Sequence, residues 1–353
     1  MDSVENPFVI GKVVGGGKFA DRDNETLLLK RELDNNQNVI IVSPRRYGKT
    51  SLILHALQEA GKEYVYVDCS LANDEAGLLE QMLNNFVGNQ PLEKLAAAIR
   101  GCLKDLELTI EVNPAKIKVK NVGSAGFEEV VKYVSSKIVV LDEFQEVVRI
   151  SENLPKRLRA VIQHQRKPFV FLGSKRHMMR ELFQNPNSAF YNSGVVLNLE
   201  LIPPREFQPF ITHWFKRTGV KLEDGDTQGI LDFTHGHPYY TQYLCHFLWE
   251  KRRARDKATV DQVVSSMVEA NSSFYESAYS SLNPNQRKAL AIVAREKNVF
   301  SKQAMKAGKM NATQNLQKAL ASLANKEIID KNGHYHFNDL LFRKWMLDRT
   351  QPN

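Results

Sequence analysis

The chain has 353 residues, 25% charged and 42% hydrophobic, which is ordinary for a globular protein of two or three domains with an ample core. Three widely spaced cysteines, Cys69, Cys102 and Cys245, argue against a disulfide framework and fit a reducing, cytoplasmic setting. The net charge is +8, no apolar run reaches the length of a membrane span, and Met1–Pro7 shows neither the basic patch nor the apolar stretch of a signal peptide.

Gly15-Gly16-Gly17 lacks the spacing of a dinucleotide fingerprint and reads as a flexible turn. A helix is expected after it, through Leu33, capped by Asp21 or Asp23. Residues 38–68 then read as strand, loop, helix and strand, a βαβ unit. Its loop, Ser43-Pro44-Arg45-Arg46-Tyr47-Gly48-Lys49-Thr50-Ser51, has the form of a phosphate-binding loop, with Ser43 in place of the usual first glycine. Such a loop wraps phosphates with backbone N–H groups at a helix N-terminus. In it Lys49 would neutralise the β- and γ-phosphates, the Thr50 hydroxyl would ligate Mg2+, and Gly48 would let the backbone come close.

Apolar positions between Leu78 and Leu103 suggest a helix over 74–105. Alternation on both sides of Asn113-Pro114 suggests a hairpin, and a helix runs from Phe127 to Val134. Ile138-Val139-Val140-Leu141 reads as a buried parallel strand ending in Asp142 and Glu143. Asp142 would hold Mg2+ through water and Glu143 would polarise an attacking water. This strand and the one before the loop are expected to be neighbours. A basic amphipathic helix (154–165), a strand ending at Gly173-Ser174-Lys175 and a strand from Val195 follow. Pro203-Pro204 closes a first domain, 1–204, and residues 205–280 are mostly helical.

Residues 281–353 read as three helices and a hairpin, with Ser301 and Asn311 capping the second and third helices and Asn332-Gly333 in the turn. Between Asn283 and Arg349 there are thirteen Lys/Arg and five Asp/Glu, so this segment holds the entire basic excess of the chain. That points to a polyanion such as DNA. Gln314, Gln317 and Lys318 lie on the face of the third helix away from Leu316, Leu320 and Leu323 and could meet bases or phosphates. The segment has the outline of a winged helix-turn-helix, and winged helices also contact proteins, so both partners stay open. The close histidines His235 with His237 and His334 with His336 lack acidic or cysteine companions at zinc-ligand spacing.

Four stretches carry a family resemblance: Phe19-Ala20-Asp21-Arg22-Asp23-Asn24-Glu25, Pro44 to Leu52, Leu141-Asp142-Glu143-Phe144-Gln145-Glu146, and His235-Gly236-His237-Pro238-Tyr239-Tyr240. In these the chain resembles the archaeal-type ATPases of the STAND class of P-loop NTPases, relatives of the AAA+ proteins. The resemblance implies an α/β fold with a parallel sheet of the 5-1-4-3-2 type, a helical lid over 205–280 and a C-terminal winged helix over 281–353. It implies ATP and Mg2+ as ligands, and hydrolysis used as a conformational switch. Nucleotide-binding roles carry over to Arg22, Glu25, Pro44, Arg45, Arg46, Tyr47, Gly48, Lys49, Thr50, Ser51, His237 and Pro238, the last two on the adenine side. Catalytic roles carry over to Lys49, Glu143 and Lys175, with Lys175 as γ-phosphate sensor and Arg176 as its rival, and metal binding to Thr50 and Asp142. Asp21 stands where the family has glycine, and members often carry an arginine near Asn192; if that arginine assists hydrolysis, its absence here implies slow turnover. The alternative is a DNA-binding regulator or an interaction scaffold whose nucleotide site is mainly structural, with self-association or a protein partner and no membrane.

Overall fold

The computed structural model describes residues 4–20, 22–88, 107–112, 115–120, 124–310 and 312–349. Asp21, Cys102, Asn311, the Asn113-Pro114 turn and the expected helix beyond 88 lie outside them. The backbone divides into two compact units, Val13–Glu200 and Met1–Lys12 with Leu201–Asn353. Among the described residues no helix is long and apolar enough to cross a membrane.

The unit from Val13 to Glu200 runs α1 (Asp23–Asp34), β1 (Val39–Val42), α2 (Lys49–Glu59), β2 (Tyr64–Asp68), α3 (Glu75–Val87), the hairpin β3 (Glu107–Val112) and β4 (Ala115–Lys120), and α4 (Ser124–Val134). It continues with β5 (Ile138–Asp142), α5 (Val147–Ile150), α6 (Leu154–Ile162), β6 (Phe169–Gly173), α7 (Arg176–Phe183) and β7 (Val195–Asn198). Five strands form one sheet in the order β2-β5-β6-β1-β7, every pairing parallel. Counting those five alone, the order is 5-1-4-3-2, as the resemblance implies. Every position of β1, β5 and β6 is buried. Helices cover both faces of the sheet, so these strands are unbroken apolar runs instead of alternating ones. Ile40, Val139, Leu141 and Phe171 pack on one face with α3, α4 and α6. Val39, Ile41, Val140 and Val170 pack on the other with α1 and α2.

Two expectations are corrected. The strand before the phosphate loop and the acidic strand are not neighbours, because β6 lies between β1 and β5, with Val42 paired to Gly173 and Leu141 to Phe171. The crossover through α2 carries the chain to the far edge at β2, and β5 and β6 fill the gap on the way back. Asp23 does not cap α1; it is the first helical residue, and Arg22 holds the cap position with no side-chain cap bond.

The unit of 4–12 and 201–349 runs α8 (Pro204–Arg217), α9 (Asp226–Thr234), α10 (Pro238–Arg253), α11 (Val260–Ala270), α12 (Ser272–Ser280), α13 (Pro284–Arg295), α14 (Lys302–Ala307), α15 (Thr313–Asn325), β8 (Ile329–Asn332), β9 (His334–Phe337) and α16 (Leu340–Arg349). Gly236 has φ 77, and a Cβ there would lie 1.9 Å from the Ile202 carbonyl oxygen, so only glycine fits the corner before α10. Asp226 and Arg252 form a buried pair, with Arg252 Nη2 2.8 Å from Asp226 Oδ2. Ser301 caps α14 by accepting from the Ala304 N–H, as the sequence predicts. Helices α13 to α15 and the hairpin β8–β9 form the winged-helix outline; Leu316, Leu320 and Leu323 are buried while Gln314, Gln317 and Lys318 are exposed.

Candidate functional site

The tips of β1, β5, β6 and β2 lie along the carboxyl edge of the sheet, where an open α/β sheet places its ligands. The loop from Ser43 leaves β1 and turns into α2. It is anchored where the Ser43 N–H donates to the Gly173 carbonyl at 3.2 Å. Two left-handed residues shape it, Arg46 at φ 68 and Gly48 at φ 86. Gly48 needs to be glycine for this backbone, and a Cβ on it would meet nothing within 4 Å. The position a Gly48 Cβ would take is therefore open.

Lys49 opens α2 and is buried, with Nζ 3.5 Å from the Ser43 carbonyl. Burial pushes its pKa down, the charges of Glu143 and Asp142 push it up, and Arg45 adds to the lowering. A poorly hydrated ammonium facing two carboxylates is suited to receive a triphosphate.

Asp142, the last residue of β5, gathers three donors. Thr50 Oγ1 and Tyr66 Oη each donate to Oδ2 at 2.7 Å, and the Glu143 N–H donates to Oδ1 at 2.8 Å. Thr50 and Asp142 thus bring hard oxygen donors together across 92 residues of sequence, a donor set that fits Mg2+. Among the described residues no cluster of three or more His, Cys, Asp or Glu could hold a metal, so an ion here would draw its other ligands from phosphates and water. Glu143 has φ 49, a left-handed conformation that turns the chain sharply at the strand tip. Its Oε2 accepts from Ser174 Oγ at 2.6 Å and from the buried Gln145 amide.

The other expected residues fall as follows. Lys175 Nζ pairs with Glu146 Oε1 at 2.9 Å, directly after Ser174. Burial pulls the pKa of the Glu146 carboxyl up, and the Lys175 and Arg149 cations together hold it below its usual range. Arg176 lies 3.8 Å from Glu200. Arg22 is buried and bonds Glu25 and the Tyr47 and Glu200 carbonyls. Ser51 Oγ accepts from the Val14 N–H at 3.0 Å. Pro44 and Tyr47 are buried, whereas Arg45 and Arg46 are exposed. Asn192 has φ 50, a left-handed backbone that suits asparagine better than arginine. His237 and Pro238 belong to the other unit, where they start α10. Tyr66, Gln145 and Ser174 were not singled out from the sequence. Ser174 had a signal, since it directly follows an all-apolar strand, and Tyr66 had one in the alternation of Tyr64-Val65-Tyr66-Val67-Asp68.

A parallel sheet with this order, a glycine-lysine-threonine loop and a facing acidic strand tip define a P-loop ATPase. The family model for ATPase domains found predominantly in Archaea matches residues 19–244, and the chain belongs to that family. A second model, a probable winged helix domain, matches 273–348. Among solved structures, a Walker-type ATPase of Pyrococcus abyssi is similar at 14% identity and TM-score 0.70, over 97% of this chain and 99% of that one. The ORC2 protein of Aeropyrum pernix in ADPNP–ADP complexes is similar at 13% identity and TM-score 0.56, over 98% and 96%. The ORC1 protein of Aeropyrum pernix in complex with DNA is similar at 13% identity and TM-score 0.52, over 99% and 94%. No curated protein matches the chain in sequence.

Proposed function

We propose that this chain is a Mg2+-dependent ATPase of the STAND type, acting in the cytoplasm as a nucleotide switch coupled to its basic winged helix. The observation that carries the reading is the meeting of Lys49 and Thr50 from one strand tip with Asp142 and Glu143 from another, with Thr50 Oγ1 2.7 Å from Asp142. The amides of 43–49 and the Lys49 ammonium hold the phosphates. Mg2+, when bound at Thr50 and Asp142, would neutralise charge that develops on the phosphoryl oxygens. Glu143, oriented by Ser174 and Gln145, accepts the proton of the attacking water. Calorimetry with Mg-ATP tests the reading. Lys49→Ala is expected to abolish binding, and Glu143→Gln to keep it while losing turnover. Equal ATP affinity in Lys49→Ala and the parent would count decisively against the site.

A specific observation favours a second element. Gln314, Gln317 and Lys318 are exposed on α15 in the segment that holds the basic excess, and one structural relative was solved with DNA. DNA is therefore the partner we assign to the winged helix. In the alternative reading, DNA binding is the main activity and the nucleotide is structural. Turnover by the parent that vanishes in Glu143→Gln separates the two.

A further inference from the structure

Arg22 holds φ at 101, deep in the left-handed region, although it carries a long side chain. Such a conformation persists only where its surroundings over-determine it, and it often marks a functional position. Among the described residues three acceptors meet its guanidinium, which is buried, the residue being 5% exposed. Nη1 donates to Glu25 Oε1 at 2.8 Å. Nη2 donates to the Tyr47 carbonyl at 3.3 Å and to the Glu200 carbonyl at 2.8 Å. Tyr47 is the loop residue before Gly48. Glu200 is the last residue of the core unit, where the chain leaves it.

Glu200 has a second charged neighbour. Its carboxylate lies 3.8 Å from Arg176, two residues after the Ser174 that bonds Glu143. The phosphate loop and the water-orienting carboxylate are thus each linked, by one short chain of contacts, to the same exit residue.

We infer that Arg22 is a positioning residue that shapes the phosphate loop and couples it to the exit of the core at Glu200. The inference rests on the ATP site proposed above. A loop whose amides face a phosphate must turn carbonyls the other way. Arg22 fixes the Tyr47 carbonyl in that outward orientation. When the loop closes on a triphosphate, this carbonyl shifts, and the shared guanidinium transmits the shift to Glu200. Lysine keeps the charge but offers one nitrogen in place of the two that reach Glu25 and the carbonyls, so it does not reproduce the fork.

Amide hydrogen exchange on the full chain, with and without saturating Mg-ATP, tests this in the parent and in Arg22→Lys. In the parent, ATP is expected to slow exchange over both 43–51 and 197–204. In Arg22→Lys it slows 43–51 only, and ATP affinity falls about tenfold, the size of one lost charged hydrogen bond. An equal ATP response at 197–204 in both proteins would overturn the coupling. A parent with no response over 43–51 would instead overturn the nucleotide site itself, which is a separate failure. Should Arg22→Lys fail to fold, Glu25→Gln is measured in the same way. It leaves the Arg22 fork intact and weakens its anchor, so a reduced response at 197–204 is expected, and a full response would overturn the coupling.

Discussion

Tyr66 gives the acidic strand tip its second hydroxyl. Asp142 Oδ2 accepts from both Thr50 and Tyr66 at 2.7 Å, and Oδ1 accepts from the Glu143 N–H. Three of its roughly four lone-pair directions are therefore used, which fixes the carboxylate and leaves one for a metal-bound water. Tyr66→Phe deletes one bond to a charged acceptor, worth about 1.5–3 kcal/mol if wholly lost. The Mg2+ concentration for half-maximal ATP hydrolysis should rise severalfold, with metal-free ATP binding unchanged; an unaltered Mg2+ dependence would remove Tyr66 from the site. The same phenol sets a pH signature. Burial first, then the Asp142 charge, pushes its pKa well above the ordinary 10.0. Above that ordinary value the unfolded chain releases the proton while the folded chain keeps it. The folded state then binds more protons, and stability falls as pH climbs past about 10. Tyr66→Phe should lose stability less steeply than the parent between about pH 9 and pH 11 in urea titrations.

Elements built from local pattern were legible, and contacts between distant elements were not. The runs 39–42, 138–141 and 169–172 could be read as buried strands because both faces of a parallel sheet are covered. The glycine-lysine-threonine loop could be read because its chemistry is contiguous. Strand order came through family resemblance alone, and the adjacency expected of β1 and β5 failed because hydrophobic period carries no order. The bonds Tyr66–Asp142, Ser174–Glu143 and Arg22–Glu200 span 76, 31 and 178 residues, and no local pattern reports them. Caps lie between these cases. Asn283 Oδ1 accepts from the Gln286 N–H at 2.9 Å, and Gln286 Oε1 accepts from the Asn283 N–H at 2.9 Å, a capping box on α13. The Gln286 amide then reaches Ser322 on α15 at 2.8 Å, so the box also ties the first winged-helix element to the third. Asn283→Ala should cost about 1 kcal/mol in chemical denaturation. Gln286→Ala leaves the residue-286 N–H on Asn283 but removes both the reciprocal bond to the Asn283 N–H and the Ser322 cross-link, so it should cost more. Equal losses would mean that the Ser322 bond is idle.

The winged helix is not a detachable module. Tyr275 of α12 stacks on Phe342 of α16 with ring centroids 5.2 Å apart, and Trp345 of α16 donates to Ser272 at 3.2 Å. Deleting the last seventy or so residues would strip these partners from α12 and expose a core. A loss of DNA binding after such a truncation would therefore say little about the surface that meets DNA. Point changes on the exposed face of α15 are the sharper instrument. Lys318→Ala should weaken DNA binding about equally across sequences and lower the slope of log K against log salt by about one, as expected for a single phosphate contact. A switch demands more than DNA binding, because a ligand shifts an equilibrium only through its different affinities for two states. If ATP sets the state of this protein, Glu143→Gln held in Mg-ATP and the same protein without nucleotide must differ in DNA affinity at fixed salt. A coupling of about 1–3 kcal/mol corresponds to a five- to 150-fold change, and linkage requires DNA to alter ATP affinity by the same factor. Fluorescence anisotropy with labelled duplex, run in both orders of addition, measures both sides of that equality. Affinities that agree with and without ATP would leave two independent binding activities on one chain and no switch between them.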